Sequence, residues 1–265
     1  MAPGGRYDQL VMLRRSLLLP MLAAAVFTGS ATAAERLPER SVTLDPNVAG
    51  RATNVVVDVD PRQIESPDSL PESLAISFQR GFRFDARSRR GRCSDQQVSD
   101  LNCPESSRIG RGEARGNATV GLTKVPFTAT IDLFLARPEN AGDIADVIVE
   151  VREPQSNTEA SARGRFTPFK SGQFAAELRF KVGEADEPPA GVTDIEVERL
   201  TLRTGAQRTV TVRRRVRGKT VTRKRRYSLI TNPLTCQGEY LIRLSARYPG
   251  NMVERDARPA CTPRS

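Results

Sequence analysis

The chain has 265 residues and a formal net charge of +10, with 41 Lys or Arg against 31 Asp or Glu, and it contains neither His nor Trp. Without His it lacks the commonest general base and the commonest zinc ligand. Ser-His-Asp and His-metal mechanisms are therefore excluded.

The first 33 residues have the pattern of a secretory signal. Arg6, Arg14 and Arg15 supply a basic start, and Ala31-Thr-Ala33 supplies a small-x-small cleavage site before Ala34. The apolar stretch Leu17–Phe27 between them is far shorter than the roughly 20 residues a bilayer span needs. The pair Arg14-Arg15 leaves both general secretion and twin-arginine export open. No cysteine follows the cleavage site and no later stretch is apolar enough to span a bilayer, so the expectation is a secreted or cell-surface protein with no transmembrane segment. The signal carries +2, which leaves +8 on the mature chain. Residues 203–226 alone hold eleven Arg or Lys and no acid, so the remainder is acidic at −3.

Residues 34–51, polar and carrying Pro38 and Pro46, read as a flexible lead-in. Period-two alternation then recurs along the chain. Val55, Val57 and Val59 alternate with Asp58 and Asp60, and Leu74, Ile76 and Phe78 repeat the pattern after a Pro/Ser/Asp loop. Phe127, Ala129, Ile131, Leu133 and Leu135 follow, then Val147, Val149 and Val151. Phe174, Ala176, Leu178, Phe180 and Val182 form the cleanest strand, and Tyr240, Ile242, Leu244, Ala246 and Tyr248 close the series. Ile195 and Val197 alternate on odd numbers but Leu200 and Leu202 on even ones, which predicts a bulge near Glu198-Arg199. Half-buried strands at this spacing, without interleaved helices, predict an all-β domain over 52–265. The expected architecture is an antiparallel β-sandwich of about ten strands. The one helix expected is short: Ser94 and Gln97 fit a capping box, and Val98 and Leu101 share a face.

Four cysteines in an exported chain predict two disulfides, and the pairing expected is Cys93–Cys103 and Cys236–Cys261. Chain entropy assigns about 3 kcal/mol to the first loop and about 3.5 kcal/mol to the second. A zinc site would need closer pairs, and no Cys-x-x-Cys is present.

The cysteine stretch also carries a resemblance. Cys93, nine intervening residues, then Cys103-Pro-x-x-Ser-x-Ile-Gly110-x-Gly112 resembles a pattern in uncharacterised exported β-rich proteins of soil actinobacteria. Gly81-Phe-x-Phe84 and Tyr227-Ser-Leu-Ile-Thr-Asn-Pro233-x-Thr-Cys236 are similar too. The match covers roughly 80–113 and 227–245, and it implies a secreted β-rich fold with no assigned activity. The arginine-dense approach Arg87-Ser-Arg-Arg-Gly-Arg92 departs from the pattern and makes this face more cationic.

Residues 208–230 predict a basic hairpin with Gly218-Lys219 at a type II′ tip. That register sets Arg214 opposite Arg223 and Arg213 opposite Lys224, a repulsion of up to about 1 kcal/mol a pair. The candidate polyanion-binding residues are Arg213, Arg214, Arg215, Arg217, Lys219, Arg223, Lys224, Arg225 and Arg226. Their partners would be an anionic cell-wall polymer, an acidic glycan, phospholipid headgroups or extracellular DNA. The bland alternative is a solvated ribbon whose charges block strand-to-strand aggregation. Only Tyr227 could stack a base, which argues against specific nucleic-acid recognition.

Other constellations are weaker. Asp58, Asp60, Glu65 and Asp68 could offer oxygen ligands to Ca²⁺, but their spacing fits no defined loop. Glu105-Ser106-Ser107 lacks a base to activate a nucleophile. The expected function is a non-enzymatic extracellular structural or interaction module without catalytic residues, metal or cofactor. The alternative is a polyanion- or carbohydrate-binding module acting through the basic segment 203–226.

Overall fold

Sixteen strands run through residues 35–38, 40–61, 71–181, 192–216 and 219–264, the parts of the chain described by a computed structural model. The signal expected at 1–33 lies outside the described residues. First come β1 (Glu35–Arg36), β2 (Val42–Asp45), β3 (Asn54–Val59), β4 (Ser73–Gln79) and β5 (Arg83–Phe84). A 3₁₀ turn at Ala86–Ser88, the helix α1 (Asp95–Ser99) and a second 3₁₀ turn at Glu105–Ser107 lead into the long strands. These are β6 (Arg108–Val120), β7 (Thr123–Ala136), β8 (Ala145–Glu153), β9 (Thr158–Pro168), β10 (Phe174–Lys181) and β11 (Val192–Thr204). The chain continues through β12 (Gln207–Val216), β13 (Lys219–Ser228), β14 (Ile230–Thr231), β15 (Ile242–Tyr248) and β16 (Asn251–Ala257).

Twelve of these strands form one sheet in the order β1-β16-β15-β4-β10-β9-β8-β7-β6-β11-β3-β2. Every pairing in it is antiparallel except β1 with β16. The expected all-β architecture is present, built on one large curled, mixed sheet with two small two-stranded sheets beside it. Chain geometry forces the curl. Laid flat, twelve strands would put the edge strands β1 and β2 about 50 Å apart. Yet only five residues separate Arg36 from Val42, a span of at most about 20 Å. Hydrogen bonds complete the approach: the Ala49 N–H donates to the Thr262 carbonyl at 2.9 Å, and the Thr262 N–H to the Asn47 carbonyl at 3.1 Å.

Strands from both halves of the sheet consequently share one core. Val55 and Val57 of β3, Leu133 and Leu135 of β7, and Ile242 and Leu244 of β15 belong to the same buried cluster. Phe78 anchors its aromatic part, with Phe82 and Phe84 edge-on at 5.6 and 5.2 Å. Alternation in β6 supplies only Gly110, Gly112, Ala114, Gly116 and Ala118 to the face that meets Ile131 and Leu133. A Cβ on Gly112 would overlap the Thr201 carbonyl, so the close approach of β6 and β11 depends on glycine there.

The second face of the sheet is covered locally by the cysteine stretch. Cys93 and Cys103 pack with Phe134, Ala136 and Ile148 into a small separate core, which Val98 of α1 joins. For this reason β7 is buried on both faces over residues 133–136. Both expected disulfides are present, Cys93–Cys103 and Cys236–Cys261. The capping box is formed as well, Ser94 Oγ accepting from the Gln97 N–H and Gln97 Oε1 from the Ser94 N–H. A register shift between Val197 and Arg199 supplies the expected bulge.

Two local readings are corrected. The stretch 34–51 is no loose lead-in where it is described, because it holds β1 and β2 and buries Leu37, Val42 and Leu44. Its apolar positions are too few and too interrupted by proline to show a period. Leu74, expected to point inward, is 41% exposed, while its smaller neighbours Ser73 and Ala75 are buried.

Candidate polyanion-binding hairpin

The hairpin begins and ends on buried apolar residues. Ala206 and Leu229 are 3% and 2% exposed, and the Leu229 N–H donates to the Ala206 carbonyl at 2.7 Å. Among the described residues β12 and β13 pair only with each other between these anchors. At its base β13 lies against the 3₁₀ turn at Ala86–Ser88. There two guanidinium groups stack on the Tyr227 ring, Arg87 at 4.9 Å and Arg225 at 5.1 Å from its centroid. Asp85 holds Arg87 with two side-chain bonds of 2.8 Å. Those bonds, together with the Arg87 N–H and charge, keep the Asp85 carboxyl below its ordinary pKa against the opposing effect of burial. The arginine-dense approach to Cys93 and the basic hairpin thus meet at one place, through Arg87, Tyr227 and Arg225.

The register differs from the expected one. Val216 pairs with Lys219, which places Arg217-Gly218, outside the described residues, between the strands instead of Gly218-Lys219. The shift removes every direct opposition of cations. Arg213 faces Thr222, Arg214 faces Val221, Arg215 faces Thr220, Arg223 faces Val212, Lys224 faces Thr211, Arg225 faces Val210 and Arg226 faces Thr209. Like charges directly opposite are destabilising, so this pairing is the one the side chains favour.

Electrostatically the hairpin is a dense run of cations, with no acid anywhere between Arg203 and Arg226. On the sheet several arginines are matched to acids: Arg199 to Asp58, Arg203 to Asp45, Arg243 to Asp256 and Glu254, Arg165 to Asp143. Arg163 alone bridges Asp95, Glu139 and Asp146. Among the described residues, Arg213, Arg215, Arg223, Lys224 and Arg226 are exposed and none is in an ion pair.

No protein-family model, curated protein or solved structure matches the chain.

The remaining sequence candidates resolve into scaffold. Asp58, read as a possible Ca²⁺ ligand, receives bonds of 2.9 and 2.7 Å from Arg199, which hold its carboxyl below the usual range. Glu65 and Asp68 lie outside the described residues. Among the described residues no group of three acidic, His or Cys side chains is placed to hold a metal. Ser107 is buried and donates to the Pro104 carbonyl at 2.7 Å, closing the turn that leads into β6. Asn232, in the Tyr227–Cys236 motif, donates to the Pro46 and Val48 carbonyls at 3.0 Å each and ties the N-terminal segment to the hairpin base.

A cavity of ≈ 430 Å³ beside the Cys93–Cys103 loop is lined by Arg90, Arg92, Ser94, Asp95 and Arg137. The half-buried Arg92 guanidinium is held by carbonyls alone, those of Ala86, Arg89 and Gly91. Burial therefore pushes its pKa down, with Asp85 opposing from a distance. The arginine run before Cys93 was its only signal, and Arg137 is brought in by the sheet from 45 residues further on in the chain.

Proposed function

We propose that the protein is a non-enzymatic interaction module, exported and working outside the cell membrane, that holds anionic polymers through the hairpin β12–β13. The observation that carries this reading is the gathering of the exposed cations Arg213, Arg215, Arg223, Lys224 and Arg226 on one two-stranded ribbon, without a carboxylate partner among the described residues. Unneutralised charges on a projecting ribbon raise the local concentration of a polyanion and speed its capture. The two disulfides and the resemblance to exported actinobacterial proteins support an extracellular setting.

Retention on heparin and phosphocellulose tests the proposal. The variant Arg213→Gln, Arg215→Gln, Lys224→Gln, Arg226→Gln should elute at clearly lower salt than the parent protein, because retention by such contacts falls steeply with ionic strength. Unchanged elution would reject binding. It would leave the hairpin as a charged ribbon that keeps its free strand edges from adding to other chains.

A further inference from the structure

The two faces of the hairpin are chemically different, and the difference follows from the register alone. Strand alternation puts Thr209, Thr211, Arg213 and Arg215 of β12 on the same face as Thr220, Thr222, Lys224 and Arg226 of β13. All eight of these residues are exposed. The other face carries Arg208, Val210 and Val212 opposite Tyr227, Arg225 and Arg223, and its base is taken up by Tyr227 stacked with Arg87. Partial burial of Arg208, Val210, Val221 and Tyr227 agrees with that assignment.

The Thr/cation face is ordered. Each of its four cross-strand rows holds one cation and one threonine: Arg215 with Thr220, Arg213 with Thr222, Lys224 with Thr211, Arg226 with Thr209. Successive rows on one face are two residues apart, about 6.8 Å, so the four cations span about 20 Å along the ribbon. The line of charge runs down β12 for two rows and crosses to β13 for the next two. Within a row the two Cβ atoms are about 5 Å apart, close enough for a guanidinium and a hydroxyl to reach one anionic group. No aromatic ring and no acid lies on this face.

We infer that this face is the binding face, and that its ligand is a linear phosphodiester polymer lacking bases, with the polyol chain lying along the ribbon. The inference rests on the polyanion reading above and assigns it a face and a ligand class. A phosphodiester presents two non-ester oxygens, one for the Arg fork or Lys ammonium and one for the Thr hydroxyl of the same row. It stays ionised at any physiological pH, and a linear chain offers one such group after another to successive rows. Nucleic acid presents the same phosphates, but this face lacks the stacking platform that holds unpaired bases.

Binding isotherms on the full mature protein decide it, using polyglycerol phosphate, single-stranded DNA with the same number of phosphates, and polygalacturonate as probes. The triple variant Arg213→Gln, Arg215→Gln, Lys224→Gln should lose about tenfold or more in affinity for polyglycerol phosphate. Its log–log salt slope should fall by about 2, as for three lost phosphate contacts on a flexible chain. The triple variant Arg208→Gln, Arg223→Gln, Arg225→Gln removes the same charge from the other face and should lose less than about threefold. Thr211→Val with Thr222→Val leaves the charge unchanged and should still weaken binding a few-fold. Circular dichroism of each variant checks that the fold is kept. Equal losses for the two charge triples would overturn the assigned face. Tighter binding of DNA or polygalacturonate than of polyglycerol phosphate would overturn the ligand class while leaving the polyanion reading in place. If the parent protein binds none of the three and is not retained on heparin, both readings fall together.

Discussion

Glu150 and Cys103 are joined by a hydrogen bond across 47 residues of sequence: the Cys103 N–H donates to Glu150 Oε1 at 3.1 Å. The carboxylate is 2% exposed, and its Oε2 accepts from Arg152 at 2.8 Å. Arg152 in turn donates to the Leu101 carbonyl at 2.8 Å, so one ion pair on β8 grips the disulfide loop at two backbone points. Glu150→Ala would strand a buried N–H and leave Arg152 with Glu159 as its acid partner, at a cost of about 2–3 kcal/mol. Glu150→Gln keeps an acceptor for Cys103 and should cost about 1 kcal/mol. Urea midpoints at unchanged m-value provide the comparison, and equal midpoints for all three proteins would remove this clamp from the account.

The Cys93–Cys103 bond should act locally. Its loop covers Phe134, Ala136 and Ile148 on the outside of a sheet that is otherwise complete. Replacing both cysteines by serine should lower stability by about 3 kcal/mol and open residues 94–102 to proteolysis. The amides of β7 and β8 that face the main core should stay protected in hydrogen exchange. Loss of protection throughout the sheet would mean the loop nucleates the fold instead of capping it.

Much of this architecture is legible in the alternation of large side chains. The inward sets on β3, β7 and β15 are the ones their periodicity announces, because each pairs bulky apolar residues with polar ones. On β10 the set holds for Ala176, Leu178 and Phe180, while a bulge turns Phe174 to the other face and Val182 lies outside the described residues. β6 and β9 are not announced. Their core-side positions are Gly110, Gly112, Ala114 and Gly116 in one, and Ala160, Ala162 and Gly164 before a single large residue, Phe166, in the other. Such strands leave no hydrophobic period, yet they let neighbouring strands approach closely as the sheet curls. The edge strands pose a different problem, since the closeness of β1 and β2 is a property of the curled sheet and not of either segment. In the hairpin the strands were legible and the register was not. Opposing each cation to Thr or Val, instead of trusting the glycine position, would have selected Val216 opposite Lys219.

Gly164 tests the role of the small-residue strands. A Cβ built on it would collide with the Phe180 ring of β10. Gly164→Ala should therefore cost about 1–3 kcal/mol through displacement of that ring. Combining it with Phe180→Leu, which opens space, should recover part of the loss. A strictly additive double variant would argue that the two residues do not share the space.

Acidic groups should respond to pH in opposite senses. Asp85 titrates below its ordinary 3.8 because Arg87 bonds to it, so its stabilising effect is complete above that value and is lost as pH falls below it. The melting-temperature gap between the parent and Asp85→Asn should be constant from pH 7 to about 5 and close towards pH 2.5. Asp146 is wholly buried, and burial raises its pKa despite the Glu139 N–H and Arg163. Its folded form holds the proton more tightly, so the advantage of the parent over Asp146→Asn should shrink as pH rises above about 4. Parallel pH profiles for the two variants would contradict the assigned causes.

Tyr227 should matter as a ring and not as a phenol. Arg87 and Arg225 lie over its face, and Arg87 is fixed in turn by Asp85, so the ring couples the hairpin to the 3₁₀ turn before the cysteine loop. Tyr227→Phe preserves the π face and should leave stability within about 0.5 kcal/mol of the parent. Tyr227→Leu keeps apolar bulk but removes the quadrupole, and should cost about 1 kcal/mol. It should also speed proteolytic cleavage within β12 and β13, because among the described residues no other strand pairs with the hairpin. Should the leucine variant match phenylalanine in both measurements, packing alone seats the hairpin and the stacked guanidinium groups add nothing to it.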